Sequence, residues 1–253
     1  MNIFKQLFVS IYSPKSIASW RNQGIGKTIL FVFLLTLISI IPTSAYLSTS
    51  ILNGLQLAQD TIEEQIPDFS IKDGQLHADS TAPVTIQQNG FTIIFDPTGE
   101  TSLSDLDLNL NSIALLKNDF AVTTAGTLEN FSYSMMDITL TKEDAVQFIN
   151  SMDALLAIVI PVLIILIYLF SSAMKFIGIS VLALIGTLLK GDKDVQYRHL
   201  WRIAAYSVVL PTIFFMIMDI FQTPVPFGFV LNWFVSILVL VLAIKEIPQK
   251  DKL

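Results

Sequence analysis

The sequence contains no cysteine, only two histidines and few charged residues. The absence of cysteine from all 253 residues excludes disulfides, thiolate catalysis and cysteine-ligated zinc or iron–sulfur centres. His77 and His199 fall on opposite sides of the membrane in the topology argued below, so a histidine metal site within one chain is not expected. Charged residues make up 14% of the chain, against about 25% in a typical soluble domain, which argues against an ordinary cytosolic enzyme.

The few charges are unevenly divided along the chain. Residues 53–150 contain 15 acids and three bases, a net charge of −12, whereas the rest contains 12 bases and six acids, a net charge of +6. An acidic polar block inside a basic, apolar remainder is typical of a membrane protein with one sizeable water-exposed domain. The acidic balance of this block also argues against nucleic acid as its partner.

Long apolar runs predict membrane-spanning helices on both sides of the polar block. Residues 1–27 are basic, and their apolar side chains recur at helical spacing from Ile3 to Ile11, which predicts a short helix in the headgroup region that ends at Ser13-Pro14. A flexible basic flank that only orients the first span is the alternative. A first transmembrane helix is predicted within residues 28–52, and residues 151–253 form a C-terminal transmembrane bundle. The predicted crossings are residues 28–47, 153–175, 203–221 and 229–244.

The apolar stretch 176–189 decides between four and five spans. At about 21 Å it is too short to cross alone, which predicts a re-entrant, interfacial or buried helix; a tight hairpin near Ser171-Ser172 with two short spans is the alternative. Four spans place the N-terminus, the basic loop 190–202 and the C-terminus, which includes Lys250 and Lys252, together in the cytoplasm. The positive-inside rule therefore favours four spans, and five stay possible.

The polar block 53–150 is predicted to be an extracytoplasmic, β-rich α+β domain. A helical continuation covers residues 55–65, and Asp73-Gly74 and Asn89-Gly90 are dipeptides that favour tight hairpin turns. The predicted strands are residues 69–72, 75–78, 84–87, 91–95, 103–110, 120–124 and 131–134. Thr141 as N-cap, with Asp144 at the third helical position, predicts the start of the helix that leads into the second span. The fold class is thus an α-helical polytopic membrane protein with an inserted β-rich domain.

Few side chains offer the chemistry of a functional site. Asp105 and Asp107 belong to an alternating series of oxygen ligands, as in calcium loops, but Leu110 and Leu116 occupy the positions that need Gly and Glu. An exposed strand is therefore favoured over a site for a divalent cation. Asp219 is the one acid inside a later span, which suggests a proton or substrate role, although interfacial hydration three residues before the outer loop also explains it. No catalytic residue, cofactor or metal is expected.

Several short motifs resemble known families. The chain combines a basic N-terminal helix that ends at Ser13-Pro14, an outer domain with Ile71-Lys72-Asp73-Gly74 and Phe95-Asp96-Pro97-Thr98-Gly99, and a C-terminal span cluster. In this it resembles a Gram-positive bacterial membrane family of unknown biochemical role, some of whose members are called maltodextrin utilization proteins. That resemblance implies an association with sugar uptake and a place in the plasma membrane of a Gram-positive bacterium.

A second resemblance covers part of the C-terminal bundle. Gly191, Leu200 and the run Ala205-Tyr206-Ser207-Val208-Val209-Leu210-Pro211 are similar to the basic-loop, Tyr-Ser and Pro segment of Yip-type membrane proteins. Trp233 and Lys245-Glu246 also match the aromatic residue and the charged exit of that pattern. Yip-type proteins are often drawn with five spans, and neither family implies defined catalytic residues.

These features predict a non-enzymatic accessory or regulatory protein of the plasma membrane, with both termini in the cytoplasm. Its outer domain would sense or bind a ligand or a partner, and its partners would be the lipid bilayer and either another membrane protein or a second copy of the chain. The alternative is a component of a membrane transporter for an oligosaccharide or a related solute, in which Asp219 would act on the solute.

Overall fold

The computed structural model describes residues 2–88, 90–124, 126–135 and 139–248. The chain forms two compact units: a helical unit of Met1–Thr49 with Val159–Leu253, and a β-rich unit of Ser50–Ile158. Asn89, from the second predicted hairpin turn, and Lys250 and Lys252, from the basic C-terminus, lie outside the described residues.

Seven α-helices are found within the described ranges. They are α1 (Ile3–Tyr12), α2 (Pro14–Ser19), α3 (Ile25–Asp60), α4 (Lys142–Leu189), α5 (Tyr197–Ser207), α6 (Val209–Ile220) and α7 (Gly228–Lys245). Four helical stretches are long and apolar enough to cross a membrane, namely Ile25–Gln65, Lys142–Leu189, Tyr197–Ile220 and Gly228–Lys245. Their number is the predicted one, and their length and composition are consistent with membrane localisation.

Residues 176–189 do not form the separate re-entrant or interfacial helix predicted above, because α4 is continuous. It is 48 residues long, about 72 Å at 1.5 Å per residue, and it runs through Ser171 and Ser172 without a hairpin. Leu, Ile and Ala dominate this stretch and favour the helix, and a single charged side chain does not interrupt its backbone hydrogen bonds. Lys175, expected at the inner end of a span, is therefore inside a longer apolar helix.

The predicted loop 190–202 is shorter than expected, because residues from Tyr197 onward are helical. The third predicted span is interrupted at Val208, between α5 and α6. Pro211 accounts for it, since its nitrogen carries no hydrogen to donate to the carbonyl of Ser207 one turn earlier, and its ring crowds that carbonyl.

Lys193 belongs to the basic loop 190–202 that was used above to predict the topology, and it also caps α7. Its Nζ donates to the carbonyls of Ile244 at 2.6 Å, Lys245 at 2.7 Å and Ile247 at 2.6 Å.

The helix α1 buries two polar side chains together with Leu7 and leaves part of its apolar surface exposed. Gln6 and Ser10 are buried within the helical unit, while Phe4 and Phe8 are exposed. Gln6 belongs to a closed ring of hydrogen bonds: its Nε2 donates to Oε1 of Gln23 at 2.7 Å, Nε2 of Gln23 donates to the hydroxyl of Tyr206, and that hydroxyl donates to Oε1 of Gln6 at 3.4 Å. These hydrogen bonds connect α1, the segment before α3 that contains Gln23, and α5.

The described residues of the β-rich unit form two sheets. Their strands are β1 (Phe69–Lys72), β2 (Gln75–Ala78), β3 (Val84–Gln88), β4 (Phe91–Asp96), β5 (Asn111–Leu116), β6 (Asp119–Thr124), β7 (Thr127–Ser132) and β8 (Leu140–Thr141). The small sheet has the order β2-β1-β8, and the large sheet has the order β3-β4-β5-β6-β7. A shared core joins the two sheets, with the rings of Phe69 and Phe95 5.7 Å apart.

The predicted strand over residues 103–110 is wrong, and the strand lies in residues 111–116 instead. β4 and β5 pair in parallel, with Phe91 opposite Asn111 and Asp96 opposite Leu116. A parallel pair needs a crossover connection, so residues 97–110 must return the chain to the start of the sheet and cannot themselves pair as a strand. Within that connection Leu103–Asp105 forms a short 3₁₀ helix.

Local turn and cap predictions are confirmed where they concern neighbouring residues. Asp73 and Gly74 have φ values of 50° and 74°, as a tight hairpin between β1 and β2 requires. At the start of α4, Oδ2 of Asp144 accepts from the backbone nitrogen of Thr141 at 2.9 Å, and the Thr141 hydroxyl accepts from the backbone nitrogen of Asp144 at 3.2 Å. The predicted strand 131–134 is displaced, since β7 covers Thr127–Ser132.

Candidate functional sites

The helical unit contains a cavity of about 450 Å³, which is called the helical cavity below. Its size is within the usual range for small-molecule sites. Most of its walls are apolar, and a few polar side chains are set into them. The lining residues are Ser39, Met174, Lys175, Ile177, Gly178, Ile179, Val181, Leu182, Val208, Thr212, Phe215, Met216, Asp219, Phe229, Asn232, Trp233 and Ser236.

Lys175 is the cation of the helical cavity, and the sequence pattern did not single it out. Its Nζ donates to the hydroxyl of Ser39 on α3 at 3.3 Å. Among the residues that the structure describes, no carboxylate lies within 4 Å of this ammonium group. An ionisable residue inside an apolar helix is a functional candidate, which is why Asp219 was considered above. The same criterion applies to Lys175, because the apolar helix α4 continues for 14 residues beyond it.

Asp219, a predicted site residue, lines the same helical cavity near the end of α6. Asn232, on the first turns of α7, shares this wall. The tertiary structure thus brings a lysine, a carboxylate and an amide to one cavity from three helices. These groups can bind a phosphate or carboxylate at Lys175 and accept from a hydrogen-bond donor at Asp219.

The β-rich unit contains a second cavity, of about 460 Å³, which is called the polar cleft below. It lies beside the Asp96-Pro97-Thr98-Gly99 turn and the connection between β5 and β6. Six of its nine lining residues carry a hydroxyl, amide, carboxylate or ammonium group, and the lining comprises Gly99, Thr101, Ser102, Leu103, Ser104, Leu116, Lys117, Asn118 and Asp119. Such groups suit a ligand rich in hydroxyls, because each can donate or accept a hydrogen bond.

The buried carboxylate of Asp96 shapes one edge of the polar cleft. Its Oδ1 accepts from the nitrogen of Thr98 at 2.8 Å, the hydroxyl of Thr98 at 2.6 Å and the nitrogen of Gly99 at 3.1 Å, and its Oδ2 accepts from the nitrogen of Thr101. Burial alone would raise the pKa of Asp96, but these hydrogen bonds together lower it below the ordinary value of 3.8. The turn predicted from sequence is therefore built around an ionised, buried side chain.

The structure does not gather Asp105 and Asp107 into a site. The Asp105 carboxylate accepts from the nitrogen of Ser102 at 2.8 Å and from its hydroxyl at 2.6 Å, and these bonds lower the pKa of Asp105. Oδ1 of Asp107 accepts from the nitrogen and from Nδ2 of Asn109, each at 2.9 Å. Both residues are exposed in the crossover connection, and within the described ranges no group of three His, Asp or Glu side chains could hold a metal ion.

The described residues form four helices that are long and apolar enough to span a membrane, together with a β-rich unit, and this class of chain is consistent with a place in a membrane. A family model described as "Protein of unknown function (DUF1189)" matches residues 4–244, and the chain belongs to this family. Comparison with curated proteins finds no match, and neither does comparison with solved structures.

Proposed function

We propose that this chain is a non-enzymatic accessory or regulatory protein of the plasma membrane, whose β-rich unit binds a ligand or a partner outside the cytoplasm. The observation that carries the proposal is the polar cleft, a hydrogen-bonding cavity on a compact unit that shares its chain with four apolar helices. The resemblance to maltodextrin utilization proteins supports a finer proposal, in which the ligand is connected with sugar uptake in a Gram-positive bacterium.

The proposed topology has four spans, with both termini and the loop 190–196 in the cytoplasm. Its support is the division of charge, since the N-terminal segment and residues 190–202 are basic, the latter with four bases and two acids, while residues 53–150 carry a net charge of −12. In a chain without cysteine, a single introduced cysteine reports its own side of the membrane. A membrane-impermeant maleimide should label the Asn130→Cys variant in intact cells and should label Asp192→Cys after permeabilisation. Labelling of Asp192→Cys in intact cells would contradict the four-span topology.

A membrane partner should be recovered in nearly equal amount when the full chain is purified in mild detergent from its own membranes. Exposed Asn118 and half-buried Asp119 line the polar cleft, so the Asn118→Ala and Asp119→Asn variants should lower this recovery about tenfold, as expected when hydrogen bonds to a bound group are lost. Asp107→Asn removes an exposed carboxylate outside the cleft and should leave recovery unchanged.

Repeated recovery of the wild-type chain alone would count against a partner, and equal recovery by all variants would count against the polar cleft as its binding surface. Adding maltohexaose during purification tests the finer proposal, because a sugar that binds in the cleft should change the recovery of the partner. A second candidate function is a transport component for an oligosaccharide or related solute, which the position of Asp219 in the helical cavity favours. Solute uptake by the purified chain in liposomes separates the two functions.

A further inference from the structure

We propose that the helical cavity binds one glycerophospholipid, with its phosphate at Lys175 and a donor-bearing headgroup, a hydroxyl or an ammonium, at Asp219. This site is independent of the polar cleft and goes beyond the accessory function proposed above. Three properties of the cavity carry the inference: a cation with no carboxylate of the described residues within 4 Å, apolar walls and the surface on which it opens.

The charge at Lys175 requires an anion. An ammonium group within an apolar helix is costly unless a charged or strongly polar group accompanies it. Its contact in the structure is the neutral hydroxyl of Ser39 at 3.3 Å, and no carboxylate of the described residues approaches within 4 Å. A phosphate oxygen would supply the charge-assisted hydrogen bond that no carboxylate of the described residues provides there.

The remaining polar groups select the kind of headgroup. The Asp219 carboxylate accepts hydrogen bonds and cannot donate them when ionised, and the Asn232 amide can do both. A headgroup with a phosphate and a terminal hydroxyl or ammonium satisfies Lys175 and Asp219 together. A choline headgroup has no N–H or O–H donor. Its lipid could place a phosphate at Lys175 but would leave Asp219 without a hydrogen-bond donor.

The walls and the opening of the helical cavity indicate that its ligand comes from the bilayer. Val208, Phe215 and Met216 present apolar surface suited to an acyl chain. The lining residues Met174, Ile177 and Phe229 are 52%, 57% and 78% exposed, and all three belong to helices of membrane-spanning composition. A molecule that reaches Lys175 past these side chains must itself be compatible with hydrocarbon, which favours a lipid over a free phosphate.

Native mass spectrometry of the delipidated full chain, titrated with single lipids, tests the proposal. The wild type should retain one phosphatidylglycerol or phosphatidylethanolamine, and should retain phosphatidylcholine and diacylglycerol at least several-fold less. Lys175→Met should weaken phosphatidylglycerol binding about tenfold or more, and Lys175→Arg should largely preserve it, because charge is what the phosphate requires. Lys15→Met, at an exposed position on α2, is the matched control.

A second variant keeps the test decisive if Lys175→Met folds poorly. A Cβ at Gly178 would meet nothing within 4 Å, so Gly178→Leu can fill the helical cavity without a backbone clash and should reduce lipid binding about tenfold. Gly54→Leu is the same change at another helical glycine with open space, and it should bind lipid as the wild type does.

Two results would overturn the inference. One is unchanged phosphatidylglycerol binding in both Lys175→Met and Gly178→Leu. The other is full competition by sn-glycerol 3-phosphate, which would assign the site to a soluble phosphate instead of a lipid. Equal binding of phosphatidylcholine and phosphatidylglycerol, with Asp219→Asn silent, would remove the headgroup assignment to Asp219.

Discussion

Asp96→Ala should destabilise the β-rich unit by about 3–5 kcal/mol, because it removes several hydrogen bonds from part-buried donors to a charged acceptor, each worth about 1.5–3 kcal/mol. The side chain of Asp96 is fully buried, and its two oxygens accept from Thr98, Gly99 and Thr101. These bonds hold the turn that follows β4 and one edge of the polar cleft. Hydrogen exchange of the full chain should show faster exchange in β4 and β5, with α7 unchanged.

The control for this prediction is Asp107→Ala, which removes an exposed carboxylate whose donors, among the described residues, belong to Asn109. Its effect should stay within about 0.5 kcal/mol, as for surface substitutions in general. If Asp96→Ala and Asp107→Ala gave equal exchange rates in β4, the carboxylate of Asp96 would not organise the turn.

The same residue predicts a dependence on acid. The pKa of Asp96 is lower in the folded chain than its ordinary value of 3.8. At a pH between the folded-state pKa and 3.8, the unfolded chain therefore binds more protons than the folded chain. The contribution of Asp96 is therefore complete above about pH 4 and is lost as the pH falls through the folded-state pKa. Asp96→Asn should flatten this part of the stability profile, and an unchanged acid dependence would assign it to other carboxylates.

Tyr206→Ala should destabilise the helical unit by about 3–5 kcal/mol, the usual range for removing a large buried aromatic side chain. Tyr206 is fully buried, with its ring centroid 4.7 Å from that of Trp20 and 4.4 Å from that of Phe31. Its hydroxyl also closes the hydrogen-bond ring with Gln6 and Gln23. The N-terminal segment should loosen first, and limited proteolysis within α1 and α2 should accelerate along with a lower thermal midpoint.

Two further variants separate packing from hydrogen bonding at Tyr206. Tyr206→Phe keeps the ring and removes the hydroxyl, so it should cost about 1–2 kcal/mol. Tyr197→Ala, at an exposed tyrosine on the same helix, is the control and should have a small effect. Proteolysis of Tyr206→Ala at the wild-type rate would show that α1 and α2 are held by other contacts.

Local sequence patterns were sufficient to predict many elements of this chain. The Asp73-Gly74 hairpin, the turn at Asp96, the cap of Thr141 with Asp144 and the four apolar helices each depend on neighbouring residues or on composition. Their physical causes are positive φ at a turn, a short side chain that bonds to nearby backbone, and the hydropathy of about 20 successive residues.

Other features depended on partners far away in the chain. The alternation that predicted a strand at 103–110 was overridden because β4 and β5 pair in parallel and need those residues as a crossover. Gln6 faces inward because Gln23 and Tyr206, 17 and 200 residues away, satisfy its amide. Lys175 is a site candidate because α4 is continuous and because Lys175, Asp219 and Asn232, from three different helices, line one cavity. Hydrogen bonds and cavities form between residues that are close in space. A periodic pattern along the sequence does not show which distant residues become close in the folded chain.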